Sequence, residues 1–167
     1  MKTIFLIGFM GSGKSTVGKI LAEKLGIRFV DMDEEIERTA RKSISAIFQE
    51  EGEESFRDLE TALLTSFPGS ELVVATGGGA VLREVNRGLL KQSGLVIYLK
   101  ASAEEISKRL VEDETRPLLK GDKKKEIAKR LNNRLPLYTA ISDLTVMTDE
   151  KSPETIAEEI AARLKEA

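Results

Sequence analysis

Residues 8–16 read Gly-Phe-Met-Gly-Ser-Gly-Lys-Ser-Thr, and this stretch decides the fold of the chain. It matches the pattern G-x-x-x-x-G-K-[ST], a loop whose backbone N–H groups cradle the phosphates of a nucleotide. Lys14 places a positive charge at the terminal phosphates, and the Ser15 hydroxyl is placed to ligate Mg²⁺. The pattern therefore predicts a nucleotide site that includes Gly11, Ser12, Gly13, Lys14, Ser15 and Thr16.

The segments on both sides of the loop favour this interpretation over a glycine-rich turn that happens to precede a helix. Residues 4–7 form the short apolar run Ile-Phe-Leu-Ile, as a buried parallel strand would. Behind the loop, apolar residues recur at helical spacing up to Leu25, and Gly26 predicts the end of that helix. A strand, a glycine loop and a helix in this order are the context that the motif requires.

The composition indicates one globular domain, since the 167 residues are 41% hydrophobic and 32% charged. There is no cysteine and no histidine, so acid–base and metal chemistry fall to other groups, with oxygen ligands of the kind that Mg²⁺ prefers. No apolar run approaches the length of a membrane span, and a net charge of −2 gives no reason to expect nucleic acid as a partner. We expect a cytoplasmic monomer.

Strand-like segments alternate with helical ones along the whole chain. After the first strand, further strands are predicted at 27–30, 72–75, 95–99 and 144–147, and the main helices between them at 34–41, 43–51, 53–66 and 84–92. This alternation predicts an α/β fold in which a parallel five-stranded sheet carries helices on both faces. The segment 112–125 loses its apolar periodicity and is rich in charge, which is typical of a lid or a disordered loop.

Polar residues and glycines follow several of the predicted strands. Because ligands of parallel sheets bind beyond the carboxyl ends of the strands, the phosphate loop, Asp31, Asp33 and the glycines 77–79 should line one rim. Carboxylates there can accept hydrogen bonds from substrate hydroxyls or from Mg²⁺-bound water. Alternatively, Asp33 only caps the following helix, and spacing alone leaves both roles open. The three glycines favour close approach of a ligand to the backbone over a flexible turn.

The sequence around the arginines says less about their function. Arg57 lies among acidic residues early in a predicted helix, so as a lone residue it is interpreted as a solvated salt-bridge partner. The same interpretation applies to Arg134, within Arg-Leu-Pro-Leu-Tyr. Arg116 lies inside the segment 112–125, whose lysines indicate a solvated loop face rather than a nucleic-acid patch.

Taken together, these motifs resemble the shikimate kinase family over nearly the whole chain. The family's order and approximate spacing are followed by the phosphate loop, Asp31-x-Asp33, Phe56-Arg57-x-x-Glu60, Gly77-Gly78-Gly79, Arg116-Pro117-Leu118-Leu119 and Arg134-x-x-x-Tyr138. The resemblance implies a single P-loop kinase domain over residues 1–167 with a mobile lid at about 112–125. It also implies that ATP phosphorylates the 3-hydroxyl of shikimate, giving shikimate 3-phosphate and ADP, in the biosynthesis of chorismate and the aromatic amino acids.

On the substrate side, the resemblance implies a role for five residues. Asp33 would hold the hydroxyls and orient the one that reacts. Arg57 and Arg134 would bind the carboxylate, a task that suits the planar guanidinium group. Gly78 and Gly79 would offer their backbone to the substrate.

On the nucleotide side, the resemblance places Lys14 and the lid residue Arg116 at the ATP phosphates, where they neutralise charge. Asp31 would support Mg²⁺ through water, and Arg109 with the segment near Pro153 would lie against the adenine. Phosphoryl transfer has a loose transition state and depends on alignment and charge neutralisation, so the absence of histidine is no objection.

Two other functions stay open at this point. A different small-molecule kinase, acting on gluconate or a nucleoside monophosphate, would share the fold and the phosphate loop. The pairing of Asp31-x-Asp33 with the three glycines and two arginines speaks against it. A non-catalytic nucleotide-binding module that regulates a partner protein would need an exposed apolar patch, and the sequence shows no surplus apolar stripe.

Overall fold

The computed structural model describes residues 2–9, 12–67, 69–111 and 123–166. Within them, five strands form one sheet: β1 (Thr3–Ile7), β2 (Arg28–Asp31), β3 (Leu72–Ala75), β4 (Gly94–Lys100) and β5 (Leu144–Met147). Their spatial order is β2-β3-β1-β4-β5, and every neighbouring pair is parallel. The predicted five-stranded parallel sheet is confirmed, and β3 and β5 have the predicted bounds.

The helices alternate with these strands. They are α1 (Lys14–Leu25), α2 (Met32–Ala40), α3 (Ile44–Glu51), α4 (Glu53–Leu64), α5 (Glu84–Ser93), α6 (Ala103–Val111), α7 (Lys123–Ile141) and α8 (Pro153–Glu166), with a short 3₁₀ helix at Ala80–Leu82. Of the predicted lid, residues 112–122 lie outside the described part of the chain, and Lys123 already begins α7. Within the described ranges, no helix combines the length and the apolar character needed to cross a membrane.

The side chains of β1 alternate between the two faces of the sheet, as the period of a strand requires. Phe5 and Ile7 pack with residues of α4, α5 and α7, whereas Ile4 and Leu6 pack with residues of α1 and α8. All five residues of β1 are at most 3% exposed. The predicted arrangement of helices on both faces is therefore confirmed, and β1 is buried between them.

The helix ends show which polar residues act as caps. The carboxylate of Asp31 accepts a hydrogen bond from Glu34 N at 3.1 Å and is the N-cap of α2. The alternative in which Asp33 caps this helix is thus wrong, because the helix begins at Met32 and already contains Asp33. Ser102 accepts from Glu105 N at 3.1 Å in the first turn of α6, and Ser152 caps α8 in the same way.

Gly94, at the start of β4, lies opposite Thr3 of β1 in the sheet. A Cβ atom at Gly94 would overlap the Thr3 carbonyl oxygen, a backbone atom that cannot move without disturbing the strand pair. We expect Gly94→Ala to lower the free energy of unfolding by about 1–3 kcal/mol. The matched control is Gly88→Ala in α5, where a Cβ would meet nothing within 4 Å.

The control substitution Gly88→Ala should raise the free energy of unfolding by about 0.5–1 kcal/mol, because alanine forms helices more readily than glycine. Urea denaturation of the two variants and the unsubstituted chain measures both changes. Equal stability of Gly94→Ala and the unsubstituted chain would show that the contact between β1 and β4 is not tight.

Candidate active site

A cavity of about 680 Å³ lies at the carboxyl ends of the strands. Its walls come from the phosphate loop with α1, from the junction of β2 and α2, from α3 and α4, from the loop after β3, and from α7. The predicted site residues among its lining are Gly13, Lys14, Ser15, Thr16, Asp31, Asp33, Arg57, Gly78, Gly79 and Arg134. The structure therefore brings most of the predicted residues into one space, although they come from five separate parts of the sequence.

The remaining predicted residues are placed elsewhere. Gly11 and Arg116 lie outside the described part of the chain. Ser12 is buried in the loop itself. Arg109 and Pro153 do not line the cavity: Arg109 Nε lies 3.3 Å from Glu105 Oε1 in α6, and Pro153 begins α8. Contact of Arg109 and Pro153 with adenine stays a prediction.

Lys14 closes the base of the phosphate loop. Its Nζ donates to the carbonyl oxygens of Gly8 at 2.6 Å and Phe9 at 3.0 Å. Gly8 and Gly13 have φ angles of 153° and 90°, which side chains rarely tolerate, and a Cβ at Gly8 would approach the Leu99 carbonyl oxygen to 2.6 Å. The loop leads directly into the N-terminus of α1, where the N–H groups of the first turn and the helix dipole attract anions.

Asp31 connects the phosphate loop to the end of β2. The Ser15 hydroxyl donates to Asp31 Oδ2, while Asp31 Oδ1 accepts from Glu34 N. Each oxygen of this carboxylate is therefore oriented by a hydrogen-bond partner. The hydroxyl and the carboxylate form a pair of hard oxygen donors beside the phosphate loop, which is the ligand type that Mg²⁺ prefers.

At the opposite end of the cavity, Arg57 and Glu60 of α4 form a buried ion pair. Arg57 Nη1 lies 2.7 Å from Glu60 Oε1, and Arg57 Nη2 lies 3.2 Å from the more exposed Glu53. Arg57 is 6% exposed and Glu60 is fully buried, so the expectation of a solvated Arg57 is wrong. Burial raises the pKa of Glu60, and the charge of Arg57 opposes that shift.

Two glycines after β3 make room for these charged side chains. A Cβ at Gly77 would lie 2.6 Å from Glu60 Oε2 and 2.9 Å from Asp33 Oδ1. A Cβ at Gly79 would lie 2.6 Å from Arg57 Nη1. The sequence interpretation credited the glycines to a ligand, but at these two positions the chain's own side chains already require them.

Arg134 of α7 is the second buried arginine of the cavity. It is 6% exposed, so the solvated interpretation is wrong for this arginine too. Its guanidinium lies over the Phe9 ring, 5.4 Å from the centroid, and among the described residues its Nη1 has no hydrogen-bond partner. Burial lowers its pKa, and the charge of Arg57 lowers it further. Two buried guanidinium groups that repel each other favour an anionic ligand between them.

Four residues in or next to the cavity had no predicted role. Glu60 holds Arg57, and Phe48 with Phe56 forms an apolar wall with ring centroids 5.1 Å apart. Tyr138 of α7 lies behind the lining and contacts the Gly78 backbone. The available signal was the helical spacing: Glu60 follows Arg57 by three residues and Tyr138 follows Arg134 by four, so each pair shares one helix face.

The contact of Gly77 with two carboxylates can be tested by Gly77→Ala. The added methyl group would push against Glu60 and Asp33, both held by the helices that carry them. We expect the free energy of unfolding to fall by about 1–3 kcal/mol. Thermal and urea unfolding measure it, with Gly88→Ala as the control for an unobstructed glycine. An unchanged stability would mean that the carboxylates do not press on the loop.

A phosphate loop that shares one cavity with buried charged side chains, at the edge of a parallel sheet, is typical of the class of P-loop small-molecule kinases. A solved gluconokinase from Sinorhizobium meliloti shares this fold with a TM-score of 0.66, over 99% of this chain and 92% of that one. Its sequence identity is 20%, so the likeness concerns the fold alone.

Closer similarities identify the family within this class. The family model described as shikimate kinase matches residues 10–165. A shikimate kinase of Persephonella marina is 48% identical over 99% of this chain and the whole of that protein. The structure of shikimate kinase from Acinetobacter baumannii in complex with shikimate has a TM-score of 0.95 and 39% identity, covering 99% of this chain and 94% of that one. The chain belongs to the shikimate kinase family.

Proposed function

We propose that this chain transfers the γ-phosphoryl group of ATP to the 3-hydroxyl of shikimate, yielding shikimate 3-phosphate and ADP on the route to chorismate and the aromatic amino acids. Family membership supports the reaction. The observation that carries it on this chain is the pairing, in one cavity, of a phosphate loop with two buried arginines and a carboxylate. A polyhydroxylated ring acid needs cations at one end and hydroxyl acceptors at the other.

The acceptor half of the cavity supplies both kinds of group. Arg57 and Arg134 bind the shikimate carboxylate, which would also give Arg134 Nη1 a partner. Asp33 accepts hydrogen bonds from the ring hydroxyls, and Gly78 and Gly79 contact the ring through their backbone. Support for this assignment comes from the burial of both arginines and from the position of all five residues in the cavity lining.

The nucleotide half holds the ATP phosphates with the residues Gly11 to Thr16. The ammonium group of Lys14, now on the Gly8 and Phe9 carbonyls, is placed to exchange these contacts for phosphate oxygens. Arg116 adds a further cation from the lid, and Arg109 and Pro153 contact the adenine. These last three assignments rest on the resemblance to the family.

The transfer itself requires alignment and charge neutralisation more than a strong base. Asp33 orients the 3-hydroxyl toward the γ-phosphorus and takes its proton as the new P–O bond forms and the bond to ADP breaks. Lys14 and Arg116 stabilise the charge that spreads over the phosphoryl oxygens. The buried arginines keep the carboxylate at the far end of the cavity, so the ring cannot turn its other hydroxyls toward ATP.

Mg²⁺ is the metal we propose for this site. Ser15 and Asp31, already in contact through hard oxygen atoms, fit it, with Asp31 acting through water. When bound, the ion neutralises phosphate charge and orients the leaving ADP. We further propose that the chain acts as a monomer in the cytoplasm. Neither nucleic acid nor a membrane is needed as a partner, since both substrates are small and water-soluble. Light scattering after gel filtration tests the monomer.

A coupled ADP-release assay with Mg·ATP tests the reaction. It compares shikimate with gluconate, AMP and no acceptor. We expect turnover with shikimate alone. Turnover with gluconate or AMP instead would overturn the substrate, and ADP release with none of the acceptors would favour a regulatory module over an enzyme.

Lys14→Met removes the cation at the phosphates while keeping most of the side-chain volume. We expect kcat to fall by about 100-fold or more, because one lost electrostatic contact to the transition state has this size of effect. Lys19→Met, an exposed lysine on the same helix, is the control and should keep normal turnover. Near-normal turnover of Lys14→Met would contradict the phosphate-loop assignment.

Arg57→Ala removes one of the two buried arginines of the cavity. We expect the Kd for shikimate to rise by about 30-fold or more, because truncating a buried charge partner is costly, while the Kd for ADP is unchanged. The control is Arg38→Ala in α2, whose side chain is 72% exposed. Calorimetry with each ligand separates the outcomes: an equal loss of both affinities would mean that Arg57 has a structural role only.

A further inference from the structure

The loop after β3 is held by a tyrosine from behind the cavity. The Tyr138 hydroxyl donates a hydrogen bond of 2.6 Å to the Gly78 carbonyl oxygen. Its side chain is fully buried and stacks on Tyr98, with ring centroids 5.0 Å apart and an interplanar angle of 26°. Neither tyrosine is among the residues that line the cavity. Tyr138 therefore contacts the loop without reaching the space in which a substrate would bind.

The carbonyls of the two flanking glycines have local partners. Gly77 O accepts from Ala80 N and Gly79 O accepts from Leu82 N, each at 3.1 Å, within the turn that starts the 3₁₀ helix. Asn86 of α5 donates to the Ala80 carbonyl at 2.9 Å. The Gly78 carbonyl differs, because its partner comes from α7, 60 residues along the chain.

Peptide geometry connects this contact to the cavity. The Gly78 carbonyl and the Gly79 N–H belong to one planar unit, and no cis peptide bond is found in the described residues. The N–H therefore points opposite to the oxygen that Tyr138 holds. A peptide between two glycines rotates easily, since no side chain on either residue restricts it. The Tyr138 hydroxyl thus fixes the direction in which the Gly79 N–H points.

Tyr138 also lies next to one of the buried cations. Burial raises the pKa of Tyr138, and the neighbouring charge of Arg134, four residues earlier on α7, opposes that shift without cancelling it. The phenol therefore stays protonated and keeps its proton for the Gly78 carbonyl. One side chain thus adjoins both an arginine expected to bind the carboxylate and a peptide expected to contact the ring.

We propose that Tyr138 is a positioning residue for shikimate: its hydroxyl sets the orientation of the Gly78–Gly79 peptide relative to Arg134, so that both meet the substrate together. This inference rests on the proposed function. The ring of Tyr138 stabilises the core between α7 and the sheet, and the hydroxyl is needed for acceptor binding. Loss of the hydroxyl should therefore affect shikimate and spare ATP.

Tyr138→Phe removes only the hydroxyl, and Tyr98→Phe removes the same atom from the neighbouring ring of the stack as a matched control. We expect Tyr138→Phe to raise the KM for shikimate about tenfold, the size of effect of one lost buried hydrogen bond, with the KM for ATP within about twofold. Tyr98→Phe should leave both constants within about twofold. The amide ¹H chemical shift of Gly79, measured by NMR, should change substantially only in Tyr138→Phe, because the hydrogen bond is made to the carbonyl of the same peptide unit.

Several outcomes would overturn the proposal. An unchanged KM for shikimate in Tyr138→Phe would do so, as would an equal rise in the KM for ATP. Failure of Tyr138→Phe to fold, measured by thermal unfolding alongside Tyr98→Phe, would make the role structural. These results differ from a failure of the proposed function, in which the unsubstituted chain itself would release no ADP in response to shikimate.

Discussion

The buried ion pair of Arg57 and Glu60 is the constraint on which the acceptor half of this molecule depends. A fully buried carboxylate and a nearly buried guanidinium lose their hydration, and a pair of this kind gives little net stability. Its value lies in geometry. Glu60 holds the Arg57 head group over the loop after β3, where only glycines at 77 and 79 leave space for the two side chains. The loop after β3, helix α4 and the Arg57 guanidinium therefore restrict one another's positions.

The two halves of the cavity are built on different principles. The nucleotide half is local: β1, the phosphate loop and the first turn of α1 form one continuous segment, and Lys14 finds its carbonyl partners five and six residues earlier. The acceptor half is assembled from α2, α4, α7 and the loop after β3. Parallel strands bring both halves to the same edge of the sheet, so a donor phosphate and an acceptor hydroxyl can meet.

The sequence predicted the local half well and the long-range half only in outline. The apolar run at 4–7 lies in β1, and α1 ends at Leu25 with Gly26 as its C-cap, as predicted. Outside this half, residues 72–75 and 144–147 are strands with the predicted bounds. The burial of Arg57 and Arg134 was not visible, because it depends on Phe9, Gly79 and other residues far away in the chain. Spacing alone did not show that Asp31, rather than Asp33, caps α2, because the cap is determined by the residue at which α2 begins. Only the resemblance to a family assigned the arginines to a ligand.

A crystal structure of the chain with shikimate and Mg·ADP would show whether the two buried arginines form the acceptor site. We expect the shikimate carboxylate within hydrogen-bond distance of both Arg57 and Arg134, with the contact of Arg57 with Glu60 retained. We also expect the ring hydroxyls at Asp33, on the side that faces the phosphate loop. A carboxylate bound away from either arginine, or an Arg57 that leaves Glu60 to reach it, would contradict this assignment of the acceptor site.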